Sequence, residues 1–198
     1  MSLVLAFTGS KEAIIGGDRR SIDFFGKCPA LEDELYSGKI RTDDELKSRA
    51  RETCSSIQVS DGKDKVWRRN DILVGEVTES SAEHTRSRRI YTLPGAYVMV
   101  DVADGQAKIS GTGRSTVLVL GNVITKKIAA DLVQNAKGRI DEGLFRAVFE
   151  EASRRTASVS ADFSVLSTRA IYPDPESALI RALEEDCQKS GWKLCAQQ

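Results

Sequence analysis

The chain has 198 residues, with 29 basic and 29 acidic side chains, one His and four Cys. This even charge balance argues against a general nucleic-acid binder, which needs a basic surface to displace counterions, and no apolar run reaches the ~18 residues of a membrane span. A single His excludes a histidine-rich metal site and argues against a Ser-His-Asp triad, so any catalysis must find its base elsewhere.

The chain opens on the apolar run Leu3-Val4-Leu5-Ala6-Phe7. No basic segment precedes it and no small-residue cleavage site follows, so it does not read as a signal peptide, and a cytoplasmic protein is expected. A turn at Thr8-Gly9-Ser10 leads to Ala13-Ile14-Ile15 and the break Gly16-Gly17-Asp18-Arg19-Arg20. Two apolar runs joined by a Gly-containing turn predict a buried hairpin. Residues 21–25 alternate weakly and give a third strand. Residues 29–54 then change character. Pro29 starts one short helix, Gly38 stops it, and Thr42-Asp43-Asp44-Glu45 has the spacing of a capping box for a second. These two helices form an insert in what is otherwise one domain over residues 1–198.

Strands return at residues 57–59, 66–68, 72–77, 96–102 and 108–109, with Asp104-Gly105 as a hairpin turn. The polar stretch 78–89, which contains His84, reads as a solvated loop. Residues 117–120 are continuously apolar, as in a strand covered on both faces. Thr125 and Asp141 are placed to cap two amphipathic helices, residues 163–166 form a strand, and Asp174-Pro175 begins a last helix that Gly191 ends. Cys28, Cys54, Cys187 and Cys195 lack the close spacing of a zinc or redox motif and are expected to be reduced and structural. The order of elements predicts an α+β fold of two packed sheets with helices outside, a four-layer αββα sandwich.

The start of the chain carries the chemistry. Removal of Met1 would leave Ser2 with a free α-amine whose pKa is about 8. Such an amine can take the proton of its own hydroxyl, an arrangement that needs no histidine. The strand beginning at Leu3 turns back and delivers Asp18 sixteen residues after Ser2. Lys65 enters another strand, where its charge would lower the hydroxyl pKa and relay the proton. Asp18 would orient that lysine and keep it charged.

The segment ending Ile14-Ile15-Gly16-Gly17-Asp18-Arg19-Arg20 resembles the opening of a proteasome β subunit, and Asp64-Lys65-Val66 resembles the family's catalytic-lysine strand. The resemblance implies the N-terminal-nucleophile hydrolase fold, with Ser2 as nucleophile, Asp18 as orienting acid and Lys65 as relay. Serine replaces the proteasomal threonine, and the insert has no proteasomal counterpart. The family's supporting serine would fall near Asn122. Its supporting Asp-x-x-Ser group would fall near Arg154-Arg155-Thr156-Ala157-Ser158, where the Asp is missing and Ser158 or Ser160 would supply the hydroxyl. The oxyanion donor would be a backbone amide near Glu79-Ser80.

A second resemblance is more specific. The Met-Ser-Leu-Val start, Gly16-Gly17-Asp18-Arg19-Arg20, Leu35-Tyr36-Ser37-Gly38-Lys39-Ile40-Arg41-Thr42-Asp43 and Arg88-Arg89-Ile90-Tyr91 resemble the connectases, proteasome-related protein ligases of methanogenic archaea. That resemblance implies cleavage within a Lys-Asp-Pro-Gly-Ala motif, an acyl-enzyme on the N-terminal residue and religation to a second peptide, without a cofactor or metal. The implied partner is the A subunit of the methanogen tetrahydromethanopterin methyltransferase. Arg41, Lys47 or Arg49 of the insert would meet the substrate aspartate, unless these charges form only a solvated helix face. The alternatives are an N-terminal-nucleophile peptidase or amidase, and an inert binding module of the same fold.

Overall fold

The computed structural model describes residues 3–26, 28–53, 55–80 and 85–195. Its first sheet has four antiparallel strands in the order β10-β1-β2-β11: β1 is Val4–Thr8, β2 Ala13–Asp18, β10 Thr116–Leu120 and β11 Phe163–Thr168. The second sheet has six strands in the order β12-β9-β8-β7-β6-β5. These are β5 (Val66–Arg69), β6 (Ile72–Ser80), β7 (Thr85–Leu93), β8 (Ala96–Ala103), β9 (Gln106–Gly113) and β12 (Lys193–Leu194). Helices α3 (Val123–Asn135) and α4 (Glu142–Arg155) cover the first sheet, and α5 (Pro175–Ser190) covers the second.

The alternation of side chains along a strand builds these layers. Leu3, Leu5 and Ile14 pack beneath Ile128, Phe145, Val148 and Phe149 of the helices. Val4, Ala6, Ala13 and Ile15 point the other way, into an inter-sheet core with Val66, Leu73, Val77 and Ile90. Tyr91, Val98 and Val100 face Leu179 and Leu183 of α5. Gly75 sits at a tight contact between the sheets: a Cβ there would lie 2.7 Å from Ile15 Cδ1 and 2.8 Å from Val4 Cγ1.

The helical insert stands on its own two-stranded base, in which β3 (Ser21–Phe25) pairs with β4 (Ser56–Ser60). Between them lie α1 (Pro29–Tyr36) and α2 (Asp43–Glu52). Leu31, Leu35, Leu46 and Ala50 form its core, joined by Ile40 and by Ala157 from the main body. Thr42 and Glu45 make the expected capping box, and Arg49 bridges to Glu34 of α1 at 2.7 Å.

Two expectations are corrected. The polar stretch 78–89 is largely strand, because β6 runs to Ser80 and β7 starts at Thr85. Its charges are matched across the sheet, Arg89 to Glu76 and Arg88 to Asp101; His84 lies outside the described residues. Strand β10 is covered on both faces as expected, with Val117 and Val119 against the helix-side core and Leu118 and Leu120 against the inter-sheet core, although it lies at a sheet edge and is mostly half-buried. Helix α3 is capped by Asn122, not Thr125, whose backbone N–H the Asn122 side chain accepts. The expected starts at Asp141 and Asp174 and the left-handed stop at Gly191 are observed.

Arg89 fastens α5 to the second sheet. Its guanidinium stacks 4.7 Å from the Trp192 ring centroid and 5.3 Å from that of Trp67. It also pairs with Glu76 at 2.7 Å and Asp186 at 3.1 Å. Truncation to alanine removes the cation from Glu76, leaves Asp186 with Arg69 alone, and deletes the stacking on Trp67 and Trp192, so a destabilisation of about 1–3 kcal/mol is expected. Phe149→Ala opens a cavity under α4 and is expected to cost about 3–5 kcal/mol. Urea unfolding at neutral pH will show both variants with lower midpoints and unchanged slopes.

Candidate functional site at the end of strand β2

The site forms where β2 ends, and its two glycines explain why it can form there. A Cβ on Gly16 would meet the Phe149 ring at 2.6 Å; one on Gly17 would meet Val66 Cγ1 at 3.0 Å and Lys65 Cβ at 3.2 Å. Without those atoms, α4 closes on one face of the strand and β5 on the other. Lys65, the residue before β5, thereby lies alongside the end of β2.

Asp18 is completely buried. One oxygen, Oδ1, accepts from the Leu3 backbone N–H at 2.7 Å. The other, Oδ2, accepts from Arg20 N at 2.9 Å, more weakly from Ser160 N at 3.4 Å, and pairs with Lys65 Nζ at 2.8 Å. Lys65 Nζ also donates to the Arg20 carbonyl at 2.6 Å. An ammonium has three N–H donors, and these are its two acceptors among the described residues. Burial pushes Lys65 down to about 8, and the opposing attraction of Asp18 only partly offsets it. Asp18 thus favours the charged form of this lysine, while burial works against it.

The flanking arginines lock the surroundings. Arg19 bridges Asp64 at 2.6 Å and Asp162 at 3.4 Å, tying the approach to Lys65 to the approach to β11. Arg20 is buried and divides its guanidinium between Asp43 at 2.6 Å, Asp61 at 2.8 Å and the Ala157 carbonyl at 2.8 Å. Its hydrogen bonds hold the Asp61 carboxyl below the usual carboxylate range.

The predicted residues fall into two groups. Asp18 and Lys65 touch, and the Ser160 amide joins them. Asn122 and Ser158 form a second buried pair, with Asn122 Nδ2 donating to Ser158 Oγ at 2.9 Å and Thr156 Oγ1 a further 2.9 Å beyond. The loop from Thr156 to Ser160 connects the groups, and all three of its hydroxyl residues are buried. Ser2 lies outside the described residues, as do the side chains of Glu79 and Ser80. Sequence reasoning gave no individual role to Arg20, Asp43, Asp61 or Thr156. Arg20 was visible only as the last letter of the Gly-Gly-Asp-Arg-Arg run, and its carboxylate partners come from two distant segments.

Beside the Asn122 pair a cleft of about 340 Å³ opens between the sheets' ends and the insert. Tyr36, Val77, Leu120 and Val123 supply apolar walls, and Arg86 and Lys126 supply cations. Arg88, also in the wall, pairs with Asp101. Leu120 is the register partner of Val4, which sets the cleft against the N-terminal end of β1. The insert contributes Tyr36 to the cleft rather than its cations. Arg49 is taken up by Glu34 and Glu52, and Arg41 lines a separate pocket with Gly38, Arg154 and Arg155. Lys47 is exposed on α2 and lines neither.

Four layers, with the first strand central in its sheet and its leading end at a buried Lys–Asp pair, place the chain in the N-terminal-nucleophile class of folds. Residues 1–188 match the family described as "Connectase MJ0548-like, N-terminal domain", and the chain belongs to that family. No curated protein matches the sequence. Among solved structures the chain is similar to eukaryotic HslV from Trypanosoma brucei: 9% identity, 85% of this chain and 99% of that one, TM-score 0.45. It is also similar to the Anbu (Gly-1) mutant from Hyphomicrobium sp. strain MC1: 10% identity, 100% of both chains, TM-score 0.45. Likeness at that level carries no functional argument. Among the described residues no helix is long and apolar enough to cross a membrane.

The Lys65 shift has a definite sign. Its folded pKa of about 8 lies below the roughly 10.4 of an unfolded lysine. Between those values the unfolded chain holds the extra proton, so stability rises with pH. Urea unfolding at pH 7.5 and 9.5 will therefore show a larger gain in stability for the wild type than for Lys65→Met.

Proposed function

We propose that the protein is a sequence-specific protein ligase, a transpeptidase whose nucleophile is Ser2 after removal of Met1. The observation that carries this reading is the buried Lys65–Asp18 pair. The atom to which Ser2 is covalently joined, Leu3 N, is 2.7 Å from Asp18 Oδ1, and Lys65 Nζ is 2.8 Å from Oδ2 of the same carboxylate.

In the proposed reaction Ser2 Oγ attacks the scissile carbonyl carbon while Lys65, as the free amine, accepts the hydroxyl proton. The carbonyl π electrons move onto oxygen, and a backbone amide near Glu79-Ser80 is proposed to receive that charge. Collapse expels the peptide amine, which takes the proton back from Lys65, and leaves an ester on Ser2. An incoming peptide amine attacks the ester, returns a proton to Ser2 Oγ through Lys65, and leaves as a new amide. A base near pH 7–8 suits both directions of this transfer. Asp18 orients the amine, and Asn122, Ser158 and Ser160 support the surrounding loop.

The proposed substrate carries a Lys-Asp-Pro-Gly-Ala-type motif, and the proposed natural partner is the A subunit of the methanogen tetrahydromethanopterin methyltransferase, in the cytoplasm of an archaeal cell. The cleft supports a peptide of this kind. Its apolar walls suit proline and alanine, and Arg86 and Lys126 suit an aspartate. Ligation also requires that water be kept from the ester.

Intact-mass measurement tests the nucleophile. The mature protein is expected to begin at Ser2 and to gain one peptide fragment on incubation with a motif peptide, and Ser2→Ala to gain none. Retained Met1 with no adduct would leave an inert binding module. Mixing two labelled peptides separates ligation from hydrolysis: hybrid product supports a ligase, and free acid alone a peptidase. Arg86→Ala with Lys126→Ala is expected to raise KM about tenfold, the loss of one charge-assisted hydrogen bond.

A further inference from the structure

We propose that Arg20 is a positioning residue that couples the helical insert to Lys65. The inference rests on the reading of Lys65 as the proton relay, and it adds a mechanical link between that relay and the wall of the cleft.

The two ends of Arg20 have different tasks. Its backbone frames the relay: the N–H donates to Asp18 Oδ2 at 2.9 Å and the carbonyl accepts from Lys65 Nζ at 2.6 Å. Its side chain leaves in the other direction and holds three separate segments. Asp43 is the first residue of α2, Asp61 follows β4, and Ala157 lies in the loop after α4. The planar guanidinium makes a two-bond fork with each carboxylate: Nε and Nη2 to Asp61 at 2.8 and 2.9 Å, Nη1 and Nη2 to Asp43 at 2.6 and 3.2 Å. A lysine has no such planar fork.

The insert transmits through this clamp because it is internally stiff. Helix α2 is held to α1 by the Arg49–Glu34 bridge and by the shared core of Leu31, Leu35, Leu46 and Ala50. The end of α1 carries Tyr36 into the cleft. A displacement of Tyr36 by an occupant of the cleft thus reaches Asp43, then Arg20, then the carbonyl that fixes Lys65 Nζ. The insert binds the main body at the same place from the other side, where Ala157 N donates to the Ile40 carbonyl at 3.1 Å.

The charged groups facing Lys65 are Asp18 from β2 and Asp61 and Lys63 from the segment before β5. Asp43 pairs with Arg20 and, among the described residues, makes no contact with Lys65. This makes the sign of the test informative. Deleting the Asp43 charge would by simple Coulomb attraction lower the Lys65 pKa slightly. Loosening the clamp admits water to Nζ and raises it, because burial is the main reason it is low.

The experiment is an NMR titration of Lys65 Cε in the full chain carrying 13C-lysine, with the signal assigned by its loss in Lys65→Met. In Asp43→Asn the Lys65 midpoint is expected to rise by at least ~0.5 pH unit. In Asp44→Asn, on the same helix turn but without a contact to Arg20, it is expected to stay within ~0.2. An unchanged or lowered midpoint in folded Asp43→Asn overturns the coupling, as does an equal rise in both variants. The titration reads Lys65 without any turnover. Absence of an acyl adduct in the wild type would therefore remove the ligase reading and leave the coupling to be decided by the titration.

Discussion

A buried ammonium beside a buried carboxylate is the constraint around which this protein is arranged. Neither Asp18 nor Lys65 has appreciable contact with water, and an uncompensated charge in that position costs several kcal/mol. The fold meets the cost with main-chain groups. Amides of Leu3, Arg20 and Ser160 converge on Asp18, and the Arg20 carbonyl receives Lys65. These groups belong to the start of β1, the end of β2 and the approach to β11, so the pair exists only where three adjacent strands of one sheet stop together. Lys65 arrives from the opposite sheet. The pair is thus also a statement of how closely the two sheets approach.

That approach is set by glycine. In β2 consecutive residues face opposite layers, and both layers are crowded at its end: the Phe149 ring on one side, Val66 and Lys65 on the other. Any side chain at either position would separate layers that must touch. Gly75 has the same function from the second sheet. The Gly16-Gly17 pair is thus a packing requirement that happens to adjoin a chemical one. A short motif contains both because the acid must follow directly where the strand is thinnest.

The helical insert distinguishes this arrangement from a bare sandwich. It has its own core and its own two-stranded base, and polar contacts that join it to the main body gather near one point, among them Arg20 with Asp43, Arg20 with Asp61, and Ala157 with Ile40. The acyl transfer proposed above is built on the geometry of the Lys65 pair. The insert explains how such an enzyme would present a peptide wall without building it into the sheets. Its cations were the natural sequence-level candidates for meeting substrate, but Arg49 is consumed in joining α1 to α2. The cations that reach the cleft come from β7 and α3 instead.

Local signals were enough to read most elements from the sequence. The capping box at Thr42 and Glu45, the Asp104-Gly105 turn and the helix starts at Asp141 and Asp174 each depend on residues within one turn of each other. The charged hairpin of β6 and β7 escaped, because its polar residues are satisfied by partners on neighbouring strands and not by solvent. Asn122 caps α3 because its Oδ1 accepts the backbone N–H of Thr125 three residues on, while its Nδ2 is free for a tertiary bond to Ser158. By itself the sequence determined which residue types were available and in what order: a small residue after Met1, an acid after two glycines, a lysine leading a strand. Only the tertiary structure decided that burial lowers the lysine's pKa and that Arg20 ties it to the insert. Burial and three-way hydrogen bonding belong to no single segment, and their strength depends on groups more than forty residues apart meeting within 3 Å.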